Sequence, residues 1–185
     1  GLDPDPSDPG DQATGGSSFH GTHVAGTVAG ASNNATGTAG VSWGARIMPL
    51  RVLGKGSGSS YDVQQAVRYA AGMSNNSGRL PTRKADIINL SLGGAAPSQS
   101  EQELVNQVRA RGVIVVAAAG NSGNNTPFYP AAYNGVVAVS AVDRYGARAP
   151  YSNYGSFVAV AAPGGNLDAD LDGDGYADGV LSPSG

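Results

Sequence analysis

Val113-Ile114-Val115-Val116-Ala117-Ala118-Ala119-Gly120-Asn121 is the most apolar run in the chain, and its reading decides the fold. It is far shorter than a membrane span, opens with β-branched residues and stops at glycine, which together describe a strand at the centre of a sheet. Upstream, Ser98–Arg111 carries Leu104, Val105 and Val108 at helical spacing, with acids early and Arg109 and Arg111 late, as the helix dipole favours. Ala85–Leu92 reads as a strand before that helix, and Val136–Val142 and Phe157–Ala161 as strands after the central one. Nearer the start, Ser60–Met73 places Val63, Ala66, Val67 and Ala70 on one helical face, and Ala45–Leu53 reads as a strand. A helix begins near Gly21, runs through His23–Ala29 with small residues on every turn, and ends at Gly30. Strands alternating with helices predict a mainly parallel sheet covered on both faces: a three-layer α/β/α sandwich, in one domain over residues 1–185, without internal repeats.

Composition agrees with that reading. A chain of 185 residues, 40% of them hydrophobic, is large enough for one real core. Its 29 glycines and 11 prolines stay below the roughly 25–30% of low-complexity chains, so they belong in turns and close packing. With 6% aromatic and 14% charged residues, the chain offers no stacking platform for nucleic acid. No apolar stretch approaches the roughly 18 residues of a membrane span, and no basic-then-apolar leader opens the sequence. Cysteine is absent, which excludes disulfides and thiolate metal sites. The net charge of −3 is unevenly spread: Asp3, Asp5, Asp8 and Asp11 crowd one end, Asp168, Asp170, Asp172, Asp174 and Asp178 the other, and all 11 Lys and Arg lie between Arg46 and Arg148.

Functional groups in parallel sheets gather where strands end. Three segments fall there or on a helix start. Phe19-His20-Gly21-Thr22-His23-Val24-Ala25-Gly26 delivers a histidine, the side chain suited to proton exchange at neutral pH, onto a helix start. His20 and His23 lie three apart, yet the helix supplies neither the third ligand nor the glutamate a zinc site would want. Ile88-Asn89-Leu90-Ser91-Leu92-Gly93-Gly94 ends in glycines that admit a second backbone, and Gly120-Asn121 can aim an amide at an anion forming beside the strand end. Taken singly, each also fits a structural histidine or a loop asparagine. Gly54-Lys55-Gly56-Ser57-Gly58 suggests a nucleotide-binding α/β domain but lacks the third spaced glycine and the following acid.

Together these segments resemble the subtilisin-like serine peptidases, the subtilases: His20-Gly21-Thr22-His23-Val24-Ala25-Gly26-Thr27-Val28-Ala29 their histidine motif, Asn89-Leu90-Ser91-Leu92-Gly93-Gly94 their substrate-cleft segment, and Val115-Val116-Ala117-Ala118-Ala119-Gly120-Asn121 their oxyanion asparagine segment. The resemblance covers most of the chain in the family's order. It implies that His20 is the general base and that Asn121 donates to the oxyanion. By the same resemblance Ser91-Leu92-Gly93 and Ala118-Ala119-Gly120 wall the primary specificity pocket, leaving room for a large apolar side chain. Gly56-Ser57-Gly58 pairs with substrate backbone as an added strand, Leu53 lines a further pocket, and His23 is structural. A secreted, monomeric endopeptidase acting on polypeptides, with no organic cofactor, nucleic acid or membrane, is the implied whole.

Departures from the family pattern are specific. No aspartate here is followed by Ser-Gly or Thr-Gly, and the family's nucleophile sequence Gly-Thr-Ser-Met-Ala does not occur. A partial peptidase domain, truncated at both ends and inactive in isolation, is therefore expected; a calcium- or peptide-binding remnant without catalysis is the alternative.

Asp168-Ala169-Asp170-Leu171-Asp172-Gly173-Asp174-Gly175-Tyr176-Ala177-Asp178 places acids at alternate positions with glycine turns, letting carboxylates converge on one hard cation. It resembles an EF-hand-type calcium loop without the terminal glutamate, the first ligand being Asp168 or Asp170; a solvated acidic loop is the competing reading. Asp3-Pro4-Asp5-Pro6-Ser7-Asp8-Pro9-Gly10-Asp11 is similar to the calcium-binding acidic loop before the histidine in some secreted bacterial subtilases, and Ser32-Asn33-Asn34-Ala35-Thr36-Gly37 resembles a third calcium loop of the family.

Overall fold

The computed structural model describes Gly10, residues 16–54 and residues 58–183. The chain divides into two compact units, Gly1–Lys84 with Leu181–Gly185, and Ala85–Val180.

In the first unit, α1 (His20–Ala29) ends at Gly30 as the sequence predicts. The following chain doubles back: the Gly40, Val41 and Ser42 amides donate to the carbonyls of Gly30, Thr27 and Val28 at 3.0, 3.0 and 2.8 Å. Those bonds satisfy carbonyls that a helix end leaves without intrahelical partners. Helix α2 (Ser60–Ala70) is opened by Ser59, whose hydroxyl oxygen accepts from the Asp62 amide at 3.0 Å while the hydroxyl donates to the Asp62 carboxylate at 2.7 Å. This reciprocal cap explains why the helix starts where it does. Val67 and Ala70 are buried on it, and Ala71 and Met73 are buried in the turn that ends it three residues before the expected limit. Ala45–Leu53 is a correction: it forms no strand. Strand geometry exists through its ladder, and this segment has no ladder partner among the described residues, so Ile47, Leu50 and Leu53 stay 45, 38 and 43% exposed.

The second unit holds a four-stranded, wholly parallel sheet in the order β1 (Ile87–Leu90), β2 (Ile114–Ala118), β3 (Val136–Val142), β4 (Val160–Pro163). The α/β class and parallel sheet agree with the sequence, and β2 is an inner strand as its apolar run requires. Helix α3 (Gln99–Ala110) makes the crossover from β1 to β2 and packs against β2 with Leu104, Val105 and Val108 buried. Alternation puts Ile88, Leu90, Val115, Ala117, Val136 and Ala138 in the core, whereas Ile87, Ile114 and Val160 are 58, 52 and 50% exposed. Strand β4 begins later than expected because a turn closed by the Val158 amide on the Gly155 carbonyl takes up Phe157. An antiparallel pair, β5 (Gly165–Asn166) and β6 (Asp178–Gly179), was not legible in the sequence and forms the base of the acidic loop.

Tyr133 fastens the start of α3. Its hydroxyl accepts from the Ser98 amide at 2.7 Å and donates to the Glu101 carboxylate at 2.8 Å. Burial, followed by the bond to Glu101, pushes the phenol from 10.0 up to about 12. The folded state therefore holds this proton more tightly than the unfolded chain, a contribution present below pH 10 and lost as pH rises towards 12. Tyr133→Phe should cost about 1–1.5 kcal/mol at neutral pH and should lose less stability than the parent across that alkaline window. Urea unfolding at a series of pH values checks both; parallel curves would contradict the role given to the hydroxyl.

Candidate active site

Residues Leu90 and Ala117 are partners in the β1–β2 register, so both strands release their chains at the same edge. Ser91-Leu92-Gly93 leaves β1 and Ala119-Gly120-Asn121 leaves β2 side by side, at the carboxyl edge where α/β sheets carry their sites. Ser91 and Leu92 are half-buried and Gly93 is exposed; Ala118 is half-buried, Ala119 and Gly120 are buried, and Asn121 faces solvent. The Asn89 side-chain amide donates to the Ser91 hydroxyl oxygen at 2.9 Å. Gly94 and Tyr129 exchange two backbone hydrogen bonds at 2.8 Å, pinning the first loop to the segment Phe128–Pro130.

Phe128, which sequence reasoning missed, lies against both walls. A Cβ on Gly93 would fall 2.3 Å from the Tyr129 carbonyl oxygen and 2.5 Å from the Phe128 ring, and one on Gly120 would fall 3.1 Å from the same ring. Glycine at both positions is thus a steric requirement.

His20 is the first residue of α1 and is exposed, directly after Phe19, whose φ of 51° is unusual for a bulky residue. His23, one turn on, is half-buried, and its carbonyl accepts from the Thr27 and Ser182 hydroxyls at 3.0 and 2.7 Å. Leu53 and Gly58 are exposed; Gly56 and Ser57, proposed to pair with substrate, lie outside the described residues.

Within the acidic loop, carboxylate oxygens of Asp170, Asp172 and Asp174 all lie within 4.8 Å of one another. Calcium sits about 2.3–2.6 Å from its oxygens, so two ligands on opposite sides of one ion are separated by about twice that distance. Three carboxylates at this spacing fit such an ion, and an all-oxygen donor set suits calcium better than a transition metal. The loop is shaped by its own backbone: the Gly173, Asp174 and Gly175 amides donate to the Asp170 carboxylate at 2.7, 3.2 and 2.9 Å. Asp168 and Asp178 are not in the cluster. The Asp178 carboxylate accepts from the Leu171 amide at 2.6 Å and from Arg144 at 3.1 Å. Arg144 also pairs with Asp172, and that hydrogen bond holds the Asp172 carboxyl below the usual carboxylate range while raising the guanidinium. Neither Arg144 nor the neighbouring Tyr145 hydroxyl, which donates to the Leu171 carbonyl at 2.9 Å, could be tied to this loop from sequence. Asp3, Asp5, Asp8 and Asp11 lie outside the described residues. Residues 31–39 enclose a shallow hollow in which Asn33 and Ala35 adopt left-handed conformations, φ 60° and 57°.

Comparison with known proteins places this arrangement in context. A family model described as the subtilase family matches residues 3–183. A thermophilic serine proteinase of Bacillus sp. (strain AK1) is 45% identical over 159 residues, covering 85% of this chain and 37% of the relative. An extracellular protease of Xanthomonas campestris pv. campestris is 44% identical over 153 residues, covering 82% of this chain and 26% of the relative. The solved structure of a protease from Pseudoalteromonas arctica PAMC 21717 superposes with a TM-score of 0.85 at 44% identity, covering 98% of this chain and 58% of that one. The chain thus spans well under two thirds of the length of these relatives.

Proposed function

This chain belongs to the subtilase family, and we propose that the protein carrying it is a secreted, monomeric serine endopeptidase acting on polypeptides, of which residues 1–185 are part of one peptidase domain. The observation that carries this reading is the parallel β1–β2 pairing, which sets Ser91-Leu92-Gly93 beside Ala118-Ala119-Gly120-Asn121 at one sheet edge. In the proposed reaction His20 takes the nucleophile's proton and returns it to the leaving amine. The Asn121 amide donates to the oxyanion of the tetrahedral intermediate, acting where charge develops rather than on the ground-state carbonyl. Ser91-Leu92-Gly93 and Ala118-Ala119-Gly120 hold the side chain before the cleaved bond, and Leu53 with Gly56-Ser57-Gly58 takes the residues preceding it. A calcium- or peptide-binding role without catalysis is the second reading, supported by the converging carboxylates of Asp170, Asp172 and Asp174. For calcium, Asp170, Asp172 and Asp174 are the proposed ligands, supported by their convergence; the ion's role is structural, holding together a loop whose carboxylates otherwise repel.

The isolated 185 residues should remain unlabelled by a fluorophosphonate, because a base without a positioned nucleophile activates nothing. Stoichiometric labelling of a serine that His20→Ala abolishes would overturn this. In an active enzyme carrying the segment, Asn121→Ala should lower kcat by about a hundredfold or more, the cost of removing an oxyanion-hole asparagine in subtilisin, with KM little changed. A loss carried by KM alone would remove Asn121 from its role.

Millimolar calcium should raise the melting temperature and a chelator lower it, with magnesium ineffective because it demands a stricter octahedron. At a hundredfold excess over Kd the expected stabilisation is about 2.7 kcal/mol. Replacing Asp170→Asn and Asp172→Asn together should abolish the calcium response. An unchanged response in that double variant would show that the loop is not the site.

A further inference from the structure

Asn153 is a buried polar residue that the proposed reaction does not use, only 2% exposed. Its backbone amide donates to the Gly120 carbonyl at 3.0 Å, and its side-chain Oδ1 accepts from the Ser122 amide at 2.8 Å. The first of these groups belongs to the peptide before Asn121 and the second to the peptide after it. Peptides are planar, so only φ and ψ of Asn121 separate the two planes. Each bond restrains one of those planes, and together they limit the two angles and hence the direction in which the Asn121 Cα–Cβ bond leaves the backbone. Gly120, at φ +108°, is held against the same residue: a Cβ there would fall 2.5 Å from Asn153 Nδ2.

Asn153 is in turn anchored to the sheet. The Ser152 hydroxyl oxygen accepts from the Ala141 amide of β3 at 2.8 Å, and the hydroxyl donates to the Asn153 carbonyl at 3.1 Å. Arg148 donates to the Ser152 carbonyl at 2.8 Å. On either side, the Gly123 amide donates to the Tyr151 carbonyl at 2.8 Å and the Tyr154 amide to the Asn124 carbonyl at 3.0 Å. Four bonds thus zip residues 151–154 onto residues 120–124, with Asn153 bracketing the exposed Asn121.

We propose that Asn153 is a positioning residue that holds the Asn121 amide in the orientation required to donate to the oxyanion. The proposal rests on Asn121 being that donor. A solvent-facing asparagine at a strand end would otherwise sample several orientations, and a misplacement of about 1 Å is enough to cost two orders of magnitude in rate.

The test uses an active enzyme containing this segment. Asn153→Ala removes the acceptor for the Ser122 amide; Asn153→Ser keeps a polar group but is one bond too short to reach it, and serves where the alanine variant does not fold. Assayed well below each variant's melting temperature, both should lower kcat about ten- to a hundredfold with KM nearly constant. Combined with Asn121→Ala, neither should lower kcat further, since there is then no donor left to orient. Losses that multiply in the double variant, a loss confined to KM, or an unchanged kcat in a folded Asn153 variant would overturn the proposal while leaving the role of Asn121 intact. An Asn121→Ala variant with undiminished kcat would instead remove the oxyanion reading, and this proposal with it.

Discussion

Parallel pairing of Ile87–Leu90 with Ile114–Ala118 is the constraint from which the proposed site follows. Two parallel strands need a crossover connection, here α3 packed on β2. Because the crossover returns the chain to the same starting edge, both strands finish at the opposite edge, one residue apart in register. Ser91-Leu92-Gly93 and Gly120-Asn121 therefore leave the sheet side by side. A one-residue slip of β2 would exchange its buried Val115 and Ala117 for Ile114 and Val116 and would shift Gly120 and Asn121 by one residue relative to Ser91-Leu92-Gly93. Burial of the core face and geometry of the site edge are therefore the same constraint, enforced by hydrophobic burial on one side and legible as chemistry on the other.

The acidic loop obeys a different balance. Arg144 pairs with Asp172 and Asp178, yet the arginine side chain is 41% exposed, and solvent screening leaves such a surface pair little stabilising weight. One guanidinium cannot organise five aspartates. The loop's shape comes from backbone amides of Gly173, Asp174 and Gly175 turned onto the Asp170 carboxylate, and from the β5–β6 pair that closes its base. Amide-to-carboxylate bonds of this kind orient the acceptors but leave like charges close together. That arrangement suits a doubly charged cation far better than a single arginine, which neutralises only the pair it touches.

Periodicity and punctuation made much of the second unit legible. Val136–Val142 coincides with β3, Leu104, Val105 and Val108 are the buried face of α3, and Gly30 ends α1. Ala45–Leu53 failed because an apolar run reports burial potential, while a strand also requires a neighbour that no local pattern contains. Phe128, Asn153 and Arg144 were missed for one shared reason: each acts on residues 8 to 35 positions away in sequence, through contacts that only the folded turn creates. Family motifs mark the residues proposed to face substrate, whereas residues that contact them through the fold carry no motif of their own.

Two buried polar side chains, Ser152 and Asn153, stand at 1% and 2% exposure where alanine or valine would be easier to bury. Burying an amide without partners costs several kcal/mol, and even with partners the net gain per hydrogen bond is only about 1 kcal/mol. Stability alone therefore gives little reason for polar groups at these positions. Hydrophobic contact, however, has no direction and cannot set the plane of a peptide on an exposed loop. Hydrogen bonds can, and here they run from the β3 backbone through Ser152 to Asn153 and onto both peptides of Asn121. Polar side chains in this corner of the core thus supply an orientation that apolar ones could not, and that is the requirement the proposed oxyanion donor would impose.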